Sequence, residues 1–312
     1  MHEIGGYFGL ELKNEKEYYD NALKLNSGRN CLRYIIQKKN IKKIQIPAYT
    51  CPAIWEALKA EGCEIKYYDI NSDMLPDSEL DKECYVLYTN YFGICNRQIE
   101  IISKKYNKLI IDNAQGFFEK PKKTISFNSA RKFFGVPDGA YLFGNFQYDD
   151  KLEKDRSYLR TGHLIKRLDS NAAEGYTEYK SNEELIDKEE PKRMSKLTKR
   201  LLSSVNYKEC IRVRKNNFNY LHNSLKDINE FNIDTTNNIA MIYPLLLKNY
   251  NCKKDLKERL INEKIYLATY WKGQKDNGYG NILETYLLPL PIDQRYSQID
   301  MDYMVCKIKN LI

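Results

Sequence analysis

The sequence predicts an α/β fold, a mostly parallel sheet covered by helices, followed by a smaller C-terminal α+β unit. Three observations carry this expectation. Short apolar runs rich in Ile, Tyr and Val alternate with helix-spaced segments as far as Phe143. Helices between consecutive strands imply right-handed crossovers and parallel pairing. Beyond Gly144 the texture changes to long polar, helix-favouring stretches. With 312 residues, the chain has room for two units, a large domain over residues 1–195 and a small C-terminal domain over 196–312.

Taken in order, Asn26-Ser27-Gly28 opens a segment with Leu32, Ile35 and Ile36 at helical spacing, and Ser27 is the natural N-cap. Strands are expected at Lys43 to Pro47, Glu64 to Ile70, Tyr85 to Tyr88, Lys108 to Asp112, Thr124 to Phe127 and Ala140 to Phe143, with helices at Cys51 to Leu58 and Gln98 to Tyr106. In the second half, Tyr207 to Ile228 sets Ile211, Phe218, Leu221, Leu225 and Ile228 on one helical face. Met241 to Leu247 is strand-like, Lys254 to Glu263 and Ile299 to Ile308 are helical, and Thr269 to Gly280 is expected to be a surface loop.

Composition excludes several classes of function. Charged residues at 29% and hydrophobic ones at 42% are globular values, so the whole chain is expected to fold. The net charge of +8 is spread over Lys-rich clusters that suit solvated helix faces; no stripe, finger or RNP-like pattern points to nucleic acid. The eight cysteines contain no C-x-x-C pair and the three histidines offer no zinc spacing, so the thiols are expected to be reduced and mostly buried. No apolar run approaches a membrane span and the first residues lack a signal-peptide pattern, which together predict a cytoplasmic protein.

Four segments fall where a sheet of this kind builds its site, beyond the carboxyl ends of the strands. Ser27-Gly28-Arg29-Asn30 opens a helix whose free N–H groups suit a phosphate, although such a turn also serves as a plain cap. Asp112 ends an apolar strand, where it either caps the next turn or faces a ligand. After the strand ending at Tyr88, Asn90 has a side chain able to donate to a ligand oxygen and Tyr91 a ring able to stack; a plain strand exit is the other reading. Lys132 lies in SFNSARKFFGVPDGA, between two strands and before a tight Gly-Val-Pro-Asp-Gly turn. An amine held in such a place is a candidate covalent catalyst.

The order SGRNCL, IPAYTCPAIWEAL, YTNYFG, IIDNAQG and SFNSARKFFGVPDGA resembles the DegT/DnrJ/StrS aminotransferases, from about Ile4 to the final LPLPIDQRYSQIDMDYM. The resemblance implies a fold type I pyridoxal-phosphate enzyme, mostly acting on nucleotide-linked keto sugars with an amino acid, glutamate here, as donor. It implies that Lys132 carries pyridoxal 5'-phosphate covalently and later shuttles the substrate proton, and that Asp112 pairs with the ring nitrogen. Gln115 would lie near the phenolic oxygen, and Gly28, Arg29 and Asn30 at the phosphate, with a hydroxyl from Ser126 or Ser129. A homodimer with shared sites is implied as well, through a segment that Pro191-Lys192-Arg193-Met194-Ser195 matches with Arg193 kept and the family's asparagine lost.

The sequence departs from the family in three further ways. Ser126 to Lys132 is one residue longer than the usual serine-lysine spacing, and Arg131 competes for the lysine position, though an arginine cannot form a Schiff base. Lys-Phe-Phe-Gly-Val-Pro-Asp-Gly favours Lys132. Cys51 stands where the family places the ring-stacking aromatic, leaving Tyr49, Trp55 or Tyr91 to supply that face. The expected activity is therefore transamination of a keto sugar in surface-polysaccharide synthesis. The alternatives are a pyridoxal-phosphate enzyme acting on a smaller carbonyl compound and a non-catalytic binding or assembly protein of the same fold.

Overall fold

In a computed structural model, residues 4–149, 151–234, 238–247, 250–271 and 278–312 are described. Seven strands form the main sheet: β1 (Leu23–Leu25), β2 (Lys43–Pro47), β3 (Glu64–Tyr68), β4 (Tyr85–Thr89), β5 (Leu109–Asn113), β6 (Ile125–Asn128) and β7 (Ala140–Phe143). Their spatial order is β1-β7-β6-β5-β4-β2-β3. The pairs from β3 through β2, β4 and β5 to β6 are parallel, as the alternation predicts. β7 runs antiparallel to both β6 and β1. β1 has only three residues, too short for a periodicity to be visible, and no strand is expected there from the sequence.

Side chains alternate between the two faces of the sheet, and each face has its own apolar cluster. Ile44, Ile46, Leu87, Ile110, Phe127 and Leu142 pack under α1 (Gly28–Lys39) and α2 (Pro52–Ala60). Val86, Tyr88, Leu109, Ile111 and Tyr141 face α3 (Asn96–Lys105), which buries Ile99 and Ile102. α1 follows the sequence expectation closely: Ser27 Oγ accepts from the Asn30 N–H, and the left-handed Asn40 closes the other end.

The polar stretch after β7 forms α4 (Gly162–Asp169) and α5 (Tyr176–Asp187), and α6 (Lys196–Leu202) follows it. In the C-terminal part, α7 (Tyr207–Leu225), α8 (Tyr250–Asn262), α9 (Tyr279–Tyr286) and α10 (Gln298–Leu311) surround an antiparallel pair, β8 (Ile242–Leu246) and β9 (Leu287–Pro291). The apolar cluster on the α3 face continues into this part through Leu221, Ile242, Leu245 and Leu288. Two expectations need correction. Tyr279 and Gly280, assigned to a surface loop, open α9, while residues 272–277 of that stretch lie outside the described residues, as do His2 and the side chain of Cys252. On α7 the buried set is Cys210, Arg214, Asn217, Phe218, Leu221 and Leu225, whereas Ile228 lies beyond its end and is 37% exposed. A charged residue inside that face is invisible to a pattern built on apolar spacing.

The turn after Lys132 is fixed by a buried carboxylate. Asp138 Oδ2 accepts from the Ser195 N–H at 2.9 Å, and its Oδ1 accepts from Ser195 Oγ at 2.7 Å and from the Thr198 hydroxyl. These donors are at the N-terminus of α6, where a negative charge is also favoured by the helix dipole. Gly139 follows at φ 119°, and a Cβ there would lie 2.8 Å from Thr198 Cγ2, so glycine is required twice over. Its N–H donates to the Asn26 carbonyl at 2.6 Å, one residue before the cap of α1. Asp138→Ala strands these buried donors and is expected to destabilise the protein by about 2–3 kcal/mol. Urea unfolding measures this, and a loss below about 0.5 kcal/mol, the range of an ordinary surface change, would refute the assignment.

Candidate active site

Three elements converge on one face at the carboxyl end of the sheet. Asp112 is paired in register with Thr89 of β4 and Phe127 of β6, so these three residues share the face covered by α1 and α2. The N-terminus of α1 arrives over β6, with the Cβ position of Gly28 3.4 Å from the Asn128 carbonyl and 3.7 Å from the Phe127 ring. Among the described residues the Gly28 and Arg29 N–H groups have no backbone acceptor. The turn carrying Lys132, Ala130–Lys132, follows directly from β6 and is closed by Ala130 N–H to the Gly139 carbonyl at 3.1 Å.

Asp112 is 3% exposed. Burial pushes its carboxyl above the ordinary value, while the positive charge of Lys132 and the Ala114 N–H, which donates to Oδ1 at 2.8 Å, pull it back. Lys132 is solvent-exposed and forms no ion pair among the described residues. Arg131 is committed elsewhere: its guanidinium pairs with Glu183 of α5, and burial lowers its proton affinity. Of the two neighbouring cations, the lysine is thus the one at liberty to meet a ligand.

Gln115 is buried and held. Its Oε1 accepts from the Phe92 N–H at 2.8 Å, which fixes the orientation of the amide, and its Nε2 is a buried donor with no partner among the described residues. Gly93 makes the close approach possible: at φ 74°, a Cβ would lie 2.4 Å from the Gln115 carbonyl. An orphaned buried donor costs free energy unless something outside the chain accepts from it.

Other expected residues fall differently. Asn90 is fully buried, and its amide serves the fold, donating to Asn113 Oδ1 at 2.9 Å and accepting from the Cys95 N–H at 3.0 Å. Tyr91 and Tyr49 are buried and stacked on each other at 5.8 Å, with the Tyr91 hydroxyl donating to the Tyr49 carbonyl. Trp55 stands on α2 with Lys59 over its ring at 4.5 Å. Cys51 is half-buried at the N-cap of α2.

Alternation along β6 separates the two serines. Ser126 is paired with Ile111 and shares the α3 face with Asn113, away from the N-terminus of α1, whereas Ser129, three residues on in extended backbone, returns to the face of Asp112. The side chains of Arg29 and Asn30 hold the fold: Arg29 bridges Glu56 at 2.7 Å and Asp187 at 3.0 Å, and Asn30 donates to the carbonyls of Glu189 and Glu190 at 3.0 Å. Backbone N–H groups are what this turn leaves for a ligand. Arg193 bridges to Leu25 of β1, at the opposite edge from β3, and covers the Tyr148 ring at 5.0 Å. β1 is separated from β5 by β7 and β6, roughly 14 Å at the usual strand spacing, so within one chain Arg193 does not join Asp112.

Sequence reasoning missed Thr50, whose hydroxyl lies 3.4 Å from that of Thr89 beside Asp112; its place in the turn just after the KIQIP strand is a signal that could have found it. Tyr270 was also missed. It accepts from the Tyr49 hydroxyl at 3.0 Å through its carbonyl, and its own hydroxyl, raised by burial, feels Cys51 and Tyr179. No pattern in the chain marks that residue as a neighbour of Tyr49 and Cys51.

Burial raises the Asp112 carboxyl above its unfolded value, so the native state binds this proton more tightly than the unfolded chain does. The neutral carboxyl therefore favours the fold at low pH, and that stability is lost as pH rises through the folded value. Asp112→Asn keeps an acceptor for the Ala114 N–H and is expected to raise the thermal midpoint of the ligand-free protein at pH 7 but not at about pH 3.5. A lower midpoint at pH 7 would mean that attraction to Lys132 outweighs burial.

No family profile matches the sequence, and no curated protein aligns with it. Solved structures do match. A DegT DnrJ EryC1 StrS aminotransferase from Brucella abortus is similar over 93% of this chain and 85% of its own, with TM-score 0.61 and 16% identity. The PLP form of Spr1654 from Streptococcus pneumoniae is similar over 93% and 86%, with TM-score 0.66 and 13% identity. A sugar aminotransferase from Micromonospora echinospora is similar over 93% and 87%, with TM-score 0.64 and 14% identity. The chain has the fold of the DegT/DnrJ/EryC1/StrS aminotransferases, a fold type I architecture.

Proposed function

We propose that the protein is a pyridoxal-phosphate-dependent aminotransferase that moves an amino group from an amino acid to a keto sugar. The observation that carries this reading is the pairing, on one sheet face, of the buried Asp112 carboxyl with the uncommitted Lys132 amine beside the open N-terminus of α1. The residues fit the cofactor. Asp112 suits a protonated ring nitrogen, the orphaned Gln115 Nε2 suits the phenolic oxygen, and the Gly28 and Arg29 amides with Ser129 suit the phosphate. When bound, pyridoxal phosphate supplies an electron sink conjugated to the substrate carbon.

The chain's own groups then divide the work. Lys132 Nζ would hold the cofactor and, as a free amine, would take and return the proton at the substrate carbon. Asp112, kept from water by Phe127 and the α1 face, would hold a proton on the ring nitrogen. The α1 N-terminus would anchor the far end so that these two groups meet the same ring.

The finer assignments are a glutamate donor, a nucleotide-linked keto sugar acceptor in surface-polysaccharide synthesis, and a cytoplasmic homodimer with shared sites. Large apolar side chains left in water support the dimer: Leu159 is 82% exposed, Leu168 90%, Tyr7 97% and Phe8 94%. Arg193, remote from Asp112 in its own chain, is the residue assigned to the partner's site.

Purified protein given pyridoxal phosphate is expected to turn yellow and to shift its visible band on addition of L-glutamate. Lys132→Ala is expected to abolish borohydride-stable attachment, while Arg131→Ala retains it; attachment surviving in Lys132→Ala would refute the lysine assignment, and a colourless wild type would favour a non-catalytic role.

Shared sites have a separate test. Lys132→Ala and Arg193→Ala are each expected to lose transamination by at least about a hundredfold, and mixing the two should restore part of it by forming one intact site per mixed dimer. No recovery after subunit exchange would count against a site built from both chains.

A further inference from the structure

Phe133, the residue after Lys132, is gripped from the C-terminal part by two side chains. Gln294 Nε2 donates to the Phe133 carbonyl at 2.8 Å, and the Arg214 guanidinium covers the Phe133 ring 4.5 Å from its centroid. Gln294 Oε1 accepts from Arg214 Nε at 2.9 Å. Arginine offers only donors and a carbonyl only accepts, so both ends of the Gln294 amide are assigned without ambiguity.

Arg214 is an expensive way to fill this space. It is 2% exposed, and its other contacts are the carbonyls of Ala240 and Met241, each at 3.3 Å. Among the described residues no carboxylate forms an ion pair with it; Asp293, whose charge it feels, is engaged by Arg295 at 2.7 Å. Burial brings its proton affinity down to about 10. Methionine or leucine would fill the same volume of α7 without desolvating a charge.

The position of the guanidinium suggests what offsets that cost. One side of it meets Phe133, whose N–H and that of Phe134 both return to the Ala130 carbonyl to close the lysine turn. The other side meets the Met241 carbonyl, and the Met241 N–H donates to the Phe92 carbonyl at 2.8 Å. The Phe92 N–H is the donor that orients Gln115. Arg214 therefore anchors the lysine turn and the Gln115 turn to one rigid group.

We propose that Arg214 and Gln294 are positioning residues for Lys132, acting through Phe133 to set where the lysine amine stands relative to Asp112. The proposal rests on the reading of Lys132 as the lysine that carries pyridoxal phosphate, and its test separates the two.

Full-length protein is mixed with pyridoxal phosphate and reduced with borohydride at timed intervals, and labelling of Lys132 is quantified by peptide mass spectrometry. Binding of pyridoxine phosphate, which cannot attach to an amine, is measured in parallel by calorimetry, with the thermal midpoint as a third readout. Gln294→Glu keeps an acceptor for Arg214 but has no N–H for the Phe133 carbonyl. It is expected to slow Lys132 labelling about tenfold, the scale of a sub-ångström misplacement, with little change in pyridoxine phosphate affinity or midpoint. Arg214→Met is expected to slow labelling as well. Labelling of Gln294→Glu at the wild-type rate overturns the positioning role while leaving the lysine assignment intact. An equal loss of pyridoxine phosphate affinity also overturns it, because a collapsed site accounts for both. If wild-type Lys132 is not labelled, the functional reading falls, and this inference with it.

Discussion

The clasp between Asp138 and the N-terminus of α6 fixes the geometry on which the site depends. A fully buried carboxylate is tolerable only where donors surround it, and Ser195 and Thr198 provide them at a helix end that favours negative charge. Because Gly139 then reaches the Asn26 carbonyl, the same clasp joins the lysine turn to the entry of α1. The amine and the open helix N-terminus, which are proposed to meet opposite ends of one ligand, are thereby referred to a single rigid contact.

Charge is distributed unevenly around this frame. Arg29 is neutralised by Glu56 and Asp187, and Arg131 by Glu183, all carboxylates of α2 or α5. Lys132 has no such partner among the described residues, and the carboxyl that responds to it, Asp112, lies buried on β5. A lone exposed cation opposite a buried acid contributes little to folding, since solvent screens the first and burial penalises the second. The arrangement suits a ligand that places positive charge at Asp112 and negative charge at α1.

Much of this was legible in the chain. The run that follows Lys132 favours it over Arg131, and the ion pair that occupies the arginine supports that proposal. The helix from Gly28, its Ser27 cap, and Asp112 at the end of an apolar strand are local features written in short-range spacing. The choice between Ser126 and Ser129 could not be made that way. It depends on strand register, where one position moves a side chain to the opposite face. The intrachain partners of Asn90 and Tyr91 were illegible for a related reason: Asn113, Cys95 and Tyr49 meet them only after β4 has been placed between β2 and β5.

The sequence by itself determined the strand-helix alternation and the parallel centre of the sheet, and it singled out the residues proposed to carry the chemistry, because propensity, capping and turn formation act over a few residues. Tertiary structure alone decided that β7 and β1 run antiparallel at the edge, that Arg193 stands remote from Asp112 in its own chain, and that Arg214 and Gln294, at least eighty residues downstream, hold the residue after Lys132. These contacts join segments far apart in the chain, and the energy that selects them comes from burial and hydrogen bonding that exist only once the segments have met.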